Sequence, residues 1–508
     1  MSKLTKITII VLITINILLG AWYILHGDLL FHTDIARDFL LIEDIAYVKH
    51  LTLIGPRSGG ISGVFHGPAW LYLNLPAFLL GKGNPVFVGW FWFILYLSFM
   101  FITYKVGVKL FDKKTGILSV LLISLIAASS VKNLFNPFGA VLLSPVFFYF
   151  FWEYLKKQEY KNLLISFFIL GLIIQFQMAF GGPILVLTVP LLIYFLYKKK
   201  KLSHLTALLI LLIPLSTYIL FDLKHDFLQT RSVIQSITAT EKKPGDQILP
   251  VFIFERIKGL FVNGLKIQPV NNLLLDLPIT LIFTIIFLKV YQKKKFKNRN
   301  LYFLFFYYYI GFWILSFLFR GVMWGYYYWP FLPLIIIVFA SSRKLINKKI
   351  FYLICIYILV INYFQQVIYI KDSQKAIGKD GGSWQFNFQL SKKIFQEAKG
   401  DFGYFIYTPD LFGYSTRYAL NYTQTLFNNK KAYPFEKRQI TYVIIAPPPD
   451  NKPYLNGEWW RKNQVKITKQ PEEVYQYKNG FKIEKYILTE KERIIQADPN
   501  LIQSIFFR

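Results

Sequence analysis

Cysteine and acid are both scarce in this 508-residue chain, with one Cys and 28 Asp and Glu. Cys355 stands alone, so no disulfide forms within the chain. It lies inside an apolar run and says little about compartment. No paired Cys or His stands at metal-binding spacing, and no glycine-rich loop of the phosphate-cradling kind is present. Against the few acids stand 58 Lys and Arg, a net charge of +30. A nucleic-acid binder gathers such an excess into a patch or stripe on a folded domain. Here it comes in bursts between apolar runs: Lys113-Lys114, Lys156-Lys157, Lys198 to Lys201, Lys293 to Lys295 with Lys297 and Arg299, and Arg343-Lys344 with Lys348-Lys349. That distribution argues against nucleic acid as a partner and follows the positive-inside pattern of membrane proteins. Charge of either sign is scarce, at 17% against 54% hydrophobic residues, which is too apolar for an ordinary soluble protein.

What is present is a series of long apolar runs. Residues 7–25 are long enough to cross a ~30 Å hydrocarbon core and follow Lys3 and Lys6, so they read as a retained anchor with a cytoplasmic N-terminus. Further runs lie near 86–104, 116–131, 139–155, 162–180, 184–197, 205–221, 277–291, 301–319, 327–341 and 350–370. The expected fold is a polytopic α-helical membrane protein with about eleven transmembrane helices. Residues 69–80 (AWLYLNLPAFLL) are apolar too, but counting them as a span would put the Lys clusters outside. They read as an interfacial or re-entrant piece. This parity makes 1–370 a transmembrane domain with large outside loops at 26–85 and 222–276. Residues 371–508 become a small extracytoplasmic α/β domain, and the location a multi-pass protein of the plasma membrane. Within the second loop, residues 248–261 mix Glu255, Arg256 and Lys258 with bulky apolar residues, as an amphipathic helix on the membrane does. In the C-terminal part, 389–398 reads as helix and 402–408, 440–447 and 480–488 as strands.

Chemistry-bearing residues concentrate in the first outside loop, which holds Asp28, Asp34, Arg37, Asp38, Glu43, Asp44 and Arg57 and four of the six histidines. One reading is a solvated surface helix in which Asp34 and Asp38 pair with Arg37. The other starts from the apolar positions Ile35, Phe39, Ile42 and Ala46. They make the helix amphipathic and would let it lie on the bilayer with Asp34 at headgroup level. The loop closes with a Gly/Pro-rich stretch, residues 53–70, whose Arg57, His66 and backbone N–H groups suit a phosphate. His26, His32, Asp34 and His66 share the loop, yet their spacing matches no metal motif. A divalent metal is therefore not assigned.

In order along the chain, TDIARD, LIGPRSGG, GVFHGPAWLYLNLPAFLLGKGNP, FNPFGAVLLSPVFFYFFWEYL, LGLIIQFQMAF and GYYYWPFLPL resemble the GT-C glycosyltransferases. The likeness is to the family-39-like bacterial enzymes, relatives of protein O-mannosyltransferases and of the lipid A aminoarabinose transferase. It runs from residue 7 to about 370. The resemblance implies transfer of a sugar from a polyprenyl-phosphate donor to a lipid, glycan or protein acceptor on the outer face, with inversion. Asp34 matches the family's acceptor-activating carboxylate. His66, in His66-Gly67-Pro68, matches the basic residue before Pro-Pro near the donor phosphate, with Gly in place of the first Pro. Two departures stand out: Asn133 or Asn136 where many relatives carry a second Asp, and Gln177 where many carry His.

The chemistry needs one base for the nucleophile and cations for the departing phosphate. Asp34 fills the first role. Arg57 and His66, with Arg320 and Lys132, fill the second. Arg37, Asp38 and Asn136 are supporting candidates, and Tyr326 and Tyr327 are either an interfacial belt or a sugar platform. No cytoplasmic segment has room for a nucleotide-binding domain, so the donor is expected to be lipid-borne. A transporter or flippase for a lipid-linked glycan would need polar residues at mid-span, where Gln175 and Gln177 are the main exceptions to apolar sequence. A non-catalytic membrane scaffold would be indifferent to the loss of Asp34.

Overall fold

A computed structural model describes residues 3–58, 61–238, 247–267, 273–292, 298–410, 412–499 and 501. The Lys293 to Lys295 cluster with Lys297, together with Gly59 and Gly60 of the Gly/Pro stretch, lies outside the described residues. Each of the predicted apolar runs falls on a helix. Among the described residues, seven helices are long and apolar enough to cross a membrane: Lys3–Gly20, Pro85–Leu110, Pro137–Lys157, Met178–Lys199, Leu202–Lys224, Arg299–Leu318 and Lys348–Ala376. The other runs form Lys113–Ala128, Tyr160–Phe176, Leu273–Gln292 and Leu332–Ser341. Ala69–Leu80 is a helix of 12 residues, about 18 Å at 1.5 Å per residue, shorter than the hydrocarbon core.

The chain divides into two compact units. The first, Met1–Gly20 with Leu51–Leu73 and Trp92–Tyr369, is the helical membrane unit. Its helices leave apolar side chains such as Leu353, Val360 and Phe364 facing outward, as lipid contact requires. The ten-residue helix Leu332–Ser341 is instead enclosed by its neighbours, and its sequence LPLIIIVFAS has no polar face to offer water. Between helices the glue is polar. Asn16 Nδ2 donates to Ser124 Oγ at 2.8 Å, and the Tyr363 hydroxyl donates to Asn16 Oδ1 at 2.8 Å. One of the basic bursts meets an acid: Asp112 caps the helix Lys113–Ala128 and takes Arg343 and Lys344, each at 2.5 Å. These cations hold its carboxyl well below the usual carboxylate range.

The second unit gathers Ala21–His50, Asn74–Phe91 and Ile370–Arg508. Among the described residues its sheet has five strands, β1 (Phe402–Tyr407), β2 (Ala432–Pro434), β3 (Ile440–Ile445), β4 (Glu473–Gln476) and β5 (Lys482–Ile487), in the order β2-β1-β3-β5-β4. β1 runs parallel to β2 and β3, and β5 antiparallel to β3 and β4. Both faces of the sheet are covered. The helix Trp384–Glu397 supplies Phe386, Leu390, Ile394 and Phe395 to the core on one side, and Trp460, Val465 and Ile467 pack on the other. With both faces buried, β1 and β3 are continuous apolar runs rather than alternating ones.

Candidate functional site

The candidate residues fall into two sets, one in each unit. In the second unit the helix Thr33–Glu43 starts after an extended His32, with Asp34 in its first turn, where an acid suits the helix dipole. Arg37 joins the two acids around it. Its Nη1 donates to Asp34 Oδ1 at 2.7 Å, and its Nη2 and Nε donate to Asp38 Oδ1 at 3.0 and 3.2 Å. The two carboxylates differ in burial, since the side chain of Asp34 is 47% exposed and that of Asp38 4%. Burial pushes the Asp38 carboxyl up to about 6, with Arg37 opposing, and its Oδ2 makes no hydrogen bond. Burial likewise pushes the His32 imidazole down, against the pull of Asp34.

The expected seat of this helix on the bilayer is corrected. Its apolar side packs on protein, with Phe39 against Phe31 at 5.2 Å, Tyr418 at 5.3 Å and Phe78 at 6.0 Å. This aromatic cluster of its own unit, to which the helix Tyr414–Leu426 gives Tyr418, satisfies the face that sequence alone left free. Hydrogen bonds fix both ends of the helix. Thr33 Oγ1 donates to Asp410 Oδ2 at 2.6 Å, and Asn421 Nδ2 to Glu43 Oε2 at 2.7 Å. Just upstream, Asp28 is fully buried. It accepts from the backbone N–H groups of Leu29, Gly378 and Gln385 and from Ser383 Oγ at 2.6 to 3.0 Å. Burial raises its carboxyl, while these donors favour the charged form. Sequence reasoning counted Asp28 only as one more loop acid. Its partners lie some 350 residues away, beyond the reach of any local pattern.

In the membrane unit the other candidates collect around the break between the helices Tyr160–Phe176 and Met178–Lys199, at Gln177. The Gly/Pro-rich stretch folds as a short ribbon in which Arg57 pairs with Phe65 and the His66 N–H donates to the Pro56 carbonyl at 2.9 Å. Phe65 is buried against Ile54 and Phe221, while Arg57 is exposed. Gly67 N then donates to the Gln175 carbonyl at 3.0 Å, and a Cβ on Gly67 would lie 1.8 Å from Gln175 Oε1. This contact leaves no room for a side chain at position 67.

Asn136 is buried and donates to the Phe176 carbonyl at 2.8 Å, a C-terminal helix group that an ionised Asp could not serve. Gln177 Nε2 donates to the Tyr326 carbonyl at 3.3 Å. Tyr326 packs on Phe135 at 5.7 Å and Tyr327 at 4.9 Å, and Tyr327 in turn faces Phe319 at 6.3 Å, next to the exposed Arg320. His66, Asn136, Gln177, Tyr326, Tyr327 and Arg320 thus sit on segments joined through this break. Lys132 lies over the ring of Tyr369 at 4.6 Å. Among the described residues no group of three or more His, Cys, Asp or Glu is placed to hold a metal ion.

Sequence read residues 248–261, the helix Leu249–Phe261, as amphipathic and lying on the membrane, which would turn Glu255, Arg256 and Lys258 to water. The structure corrects this for Arg256, which is buried and bonded to backbone carbonyls, while Val251, Phe254 and Ile257 face outward.

The fold, a set of apolar helices with a small α/β unit, has solved counterparts. Two crystal structures of ArnT from Cupriavidus metallidurans share it. The one bound to undecaprenyl phosphate has a TM-score of 0.58 and 9% identity over 96% of this chain and 98% of that one. The apo form has a TM-score of 0.56 and 10% identity over 95% and 98%. An apo oligosaccharyltransferase from Archaeoglobus fulgidus is more distant, with a TM-score of 0.48 and 13% identity over 86% of this chain and 66% of that one. No protein-family model and no curated protein sequence matches the chain.

Proposed function

We propose that this protein is a membrane glycosyltransferase that moves a sugar from a polyprenyl-phosphate donor to an acceptor hydroxyl or amine outside the cytoplasm, with inversion. The observation that carries the reading is the half-exposed Asp34, held by Arg37 at the start of the first-loop helix. The fold shared with ArnT, one structure of which holds undecaprenyl phosphate, supports the donor class as an analogy between folds.

In this mechanism the Asp34 carboxylate takes the proton from the acceptor as the acceptor atom bonds to the sugar's anomeric carbon. The bond from that carbon to the phosphate oxygen breaks, and its electron pair leaves with the polyprenyl phosphate. One carboxylate suffices because the leaving group is already a phosphate. Arg57, His66 and Arg320, with Lys132, neutralise the charge that builds on it. Asp38 acts through Arg37 and Asn136 through the backbone. Residues 1–370 form the transmembrane catalytic part, with the N-terminus cytoplasmic by the distribution of Lys and Arg. Residues 371–508 form an extracytoplasmic domain, to which Ala21–His50 and Asn74–Phe91 fold. A panel of labelled polyprenyl-phosphate sugars offered to membranes containing the protein tests the reading. Transfer or donor turnover with one of them is expected, and none with any sugar would favour a carrier or a scaffold.

A further inference from the structure

Within the membrane unit, the helix Leu249–Phe261 turns its arginine inward, where Arg256 is 1% exposed and lies over the ring of Phe252 at 4.7 Å. Two of its three guanidinium nitrogens bond to backbone. Nε donates to the Ser316 carbonyl at 3.3 Å, and Nη2 donates to the carbonyls of Phe319 at 2.7 Å and Gly321 at 2.8 Å. The first acceptor belongs to the end of the helix Arg299–Leu318, where carbonyls lack intrahelical donors and the dipole favours a cation. The other two flank Arg320. The carbonyl of Arg320 itself accepts from Gln247 N at 3.4 Å, just ahead of the same helix. One segment therefore holds three consecutive carbonyls, 319 to 321, and the Arg320 side chain between them stays exposed. Gly321 permits the turn, since a Cβ there would come within 2.5 Å of the Phe319 ring.

From this clasp we infer that Arg256 is a positioning residue, which holds the 319–321 turn so that Arg320 is presented to the phosphate of a lipid-linked donor. The inference rests on the proposed donor class. Lysine at 256 would keep the charge, but a compact ammonium lacks the planar fork that reaches three carbonyls.

The test is a binding measurement on the purified full-length chain in lipid nanodiscs, with undecaprenyl phosphate as probe and inorganic phosphate as competitor. Arg256→Lys is expected to weaken binding about tenfold, the scale of one charge-assisted contact. Arg320→Ala is expected to do the same, and the double variant should bind no more weakly than Arg320→Ala alone. A purely structural role would give a loss that adds in full to that of Arg320→Ala, and this outcome overturns the inference. So does wild-type affinity in Arg256→Lys, or competition by inorganic phosphate as strong as by the lipid. If Arg256→Lys does not fold, Gly321→Ala disturbs the same turn and should show the same dependence on Arg320. Sugar transfer is read separately. A wild type that binds undecaprenyl phosphate but transfers nothing would sink the transferase reading and leave this inference standing, whereas a wild type that binds no lipid phosphate overturns it.

Discussion

Three acids on the helix Thr33–Glu43 meet three environments, and environment decides which of them is available for chemistry. Asp34 is half open and touches Arg37 through one oxygen, while Asp38 is enclosed and serves as that arginine's second anchor. Glu43 faces Asn421, and burial pushes its carboxyl from 4.5 up to about 7, with Asp44 adding to the rise and Arg417 opposing it. A carboxyl raised in the folded state binds its proton more tightly there than when unfolded. Glu43 therefore costs stability above pH 7, and the cost disappears as the pH falls through 7 toward 4.5. Glu43→Gln, which keeps an oxygen for Asn421, should raise the melting temperature at pH 8, and the gain should shrink to nothing near pH 4.5. A gain independent of pH would contradict the role given to burial.

The sequence placed Asp34, Arg37 and Asp38 together, because i, i+3 and i+4 spacing is local. It missed the inward turn of Arg256, because a charge on an amphipathic pattern is read as facing water. The carbonyls that accept from it lie sixty and more residues away.

Among the elements, those with an apolar run were legible and those without were not. β1, β3 and β5 match the predicted strands at 402–408, 440–447 and 480–488. β2 and β4 went unforeseen because they are the two edges of the sheet, short and partly exposed, so neither a run nor an alternation marks them. The helix Tyr414–Leu426 was missed for a related reason. Its sequence YSTRYALNYTQTL buries two tyrosines and two threonines beside Ala419 and Leu420, so too few aliphatic residues mark its inner face.

Two element-level predictions follow from close contacts. Asp28→Ala would leave the Gln385 N–H and the Ser383 hydroxyl without their acceptor and the Gly378 N–H with Ser383 Oγ alone, at about 2 kcal/mol or more in total. A fall in melting temperature of the purified protein should register it. Gly67→Ala would drive a methyl group into Gln175, an overpacking cost of about 1–3 kcal/mol. Its effect should appear as lost stability together with weaker donor binding, because His66 is the next residue.

For the whole molecule, the apolar runs marked the order of the helices, each predicted run falling on helix, and the Lys clusters between them gave the parity. The same clusters set the proposed orientation. Cys355 is the only cysteine in the sequence and is buried, so single cysteines introduced elsewhere report cleanly. On intact cells a membrane-impermeant maleimide should label Lys478→Cys, and should reach Lys198→Cys only after permeabilisation. The reverse pattern would invert the topology and remove Asp34 from the outer face. What sequence could not supply was the grouping of Ala21–His50 and Asn74–Phe91 with Ile370–Arg508, since pairings such as Asp28 with Ser383 are set by packing across the length of the chain.

The central claim is that Asp34 is the base of a sugar transfer, and one comparison tests it most directly. Membranes holding equal amounts of wild-type and Asp34→Asn protein would be given the labelled polyprenyl-phosphate sugar that the wild type uses, and the rate of transfer measured. The amide keeps the size of the side chain but cannot take the acceptor proton, so the rate should fall by about 10²-fold or more while donor binding is retained. Transfer by Asp34→Asn at the wild-type rate would contradict the account.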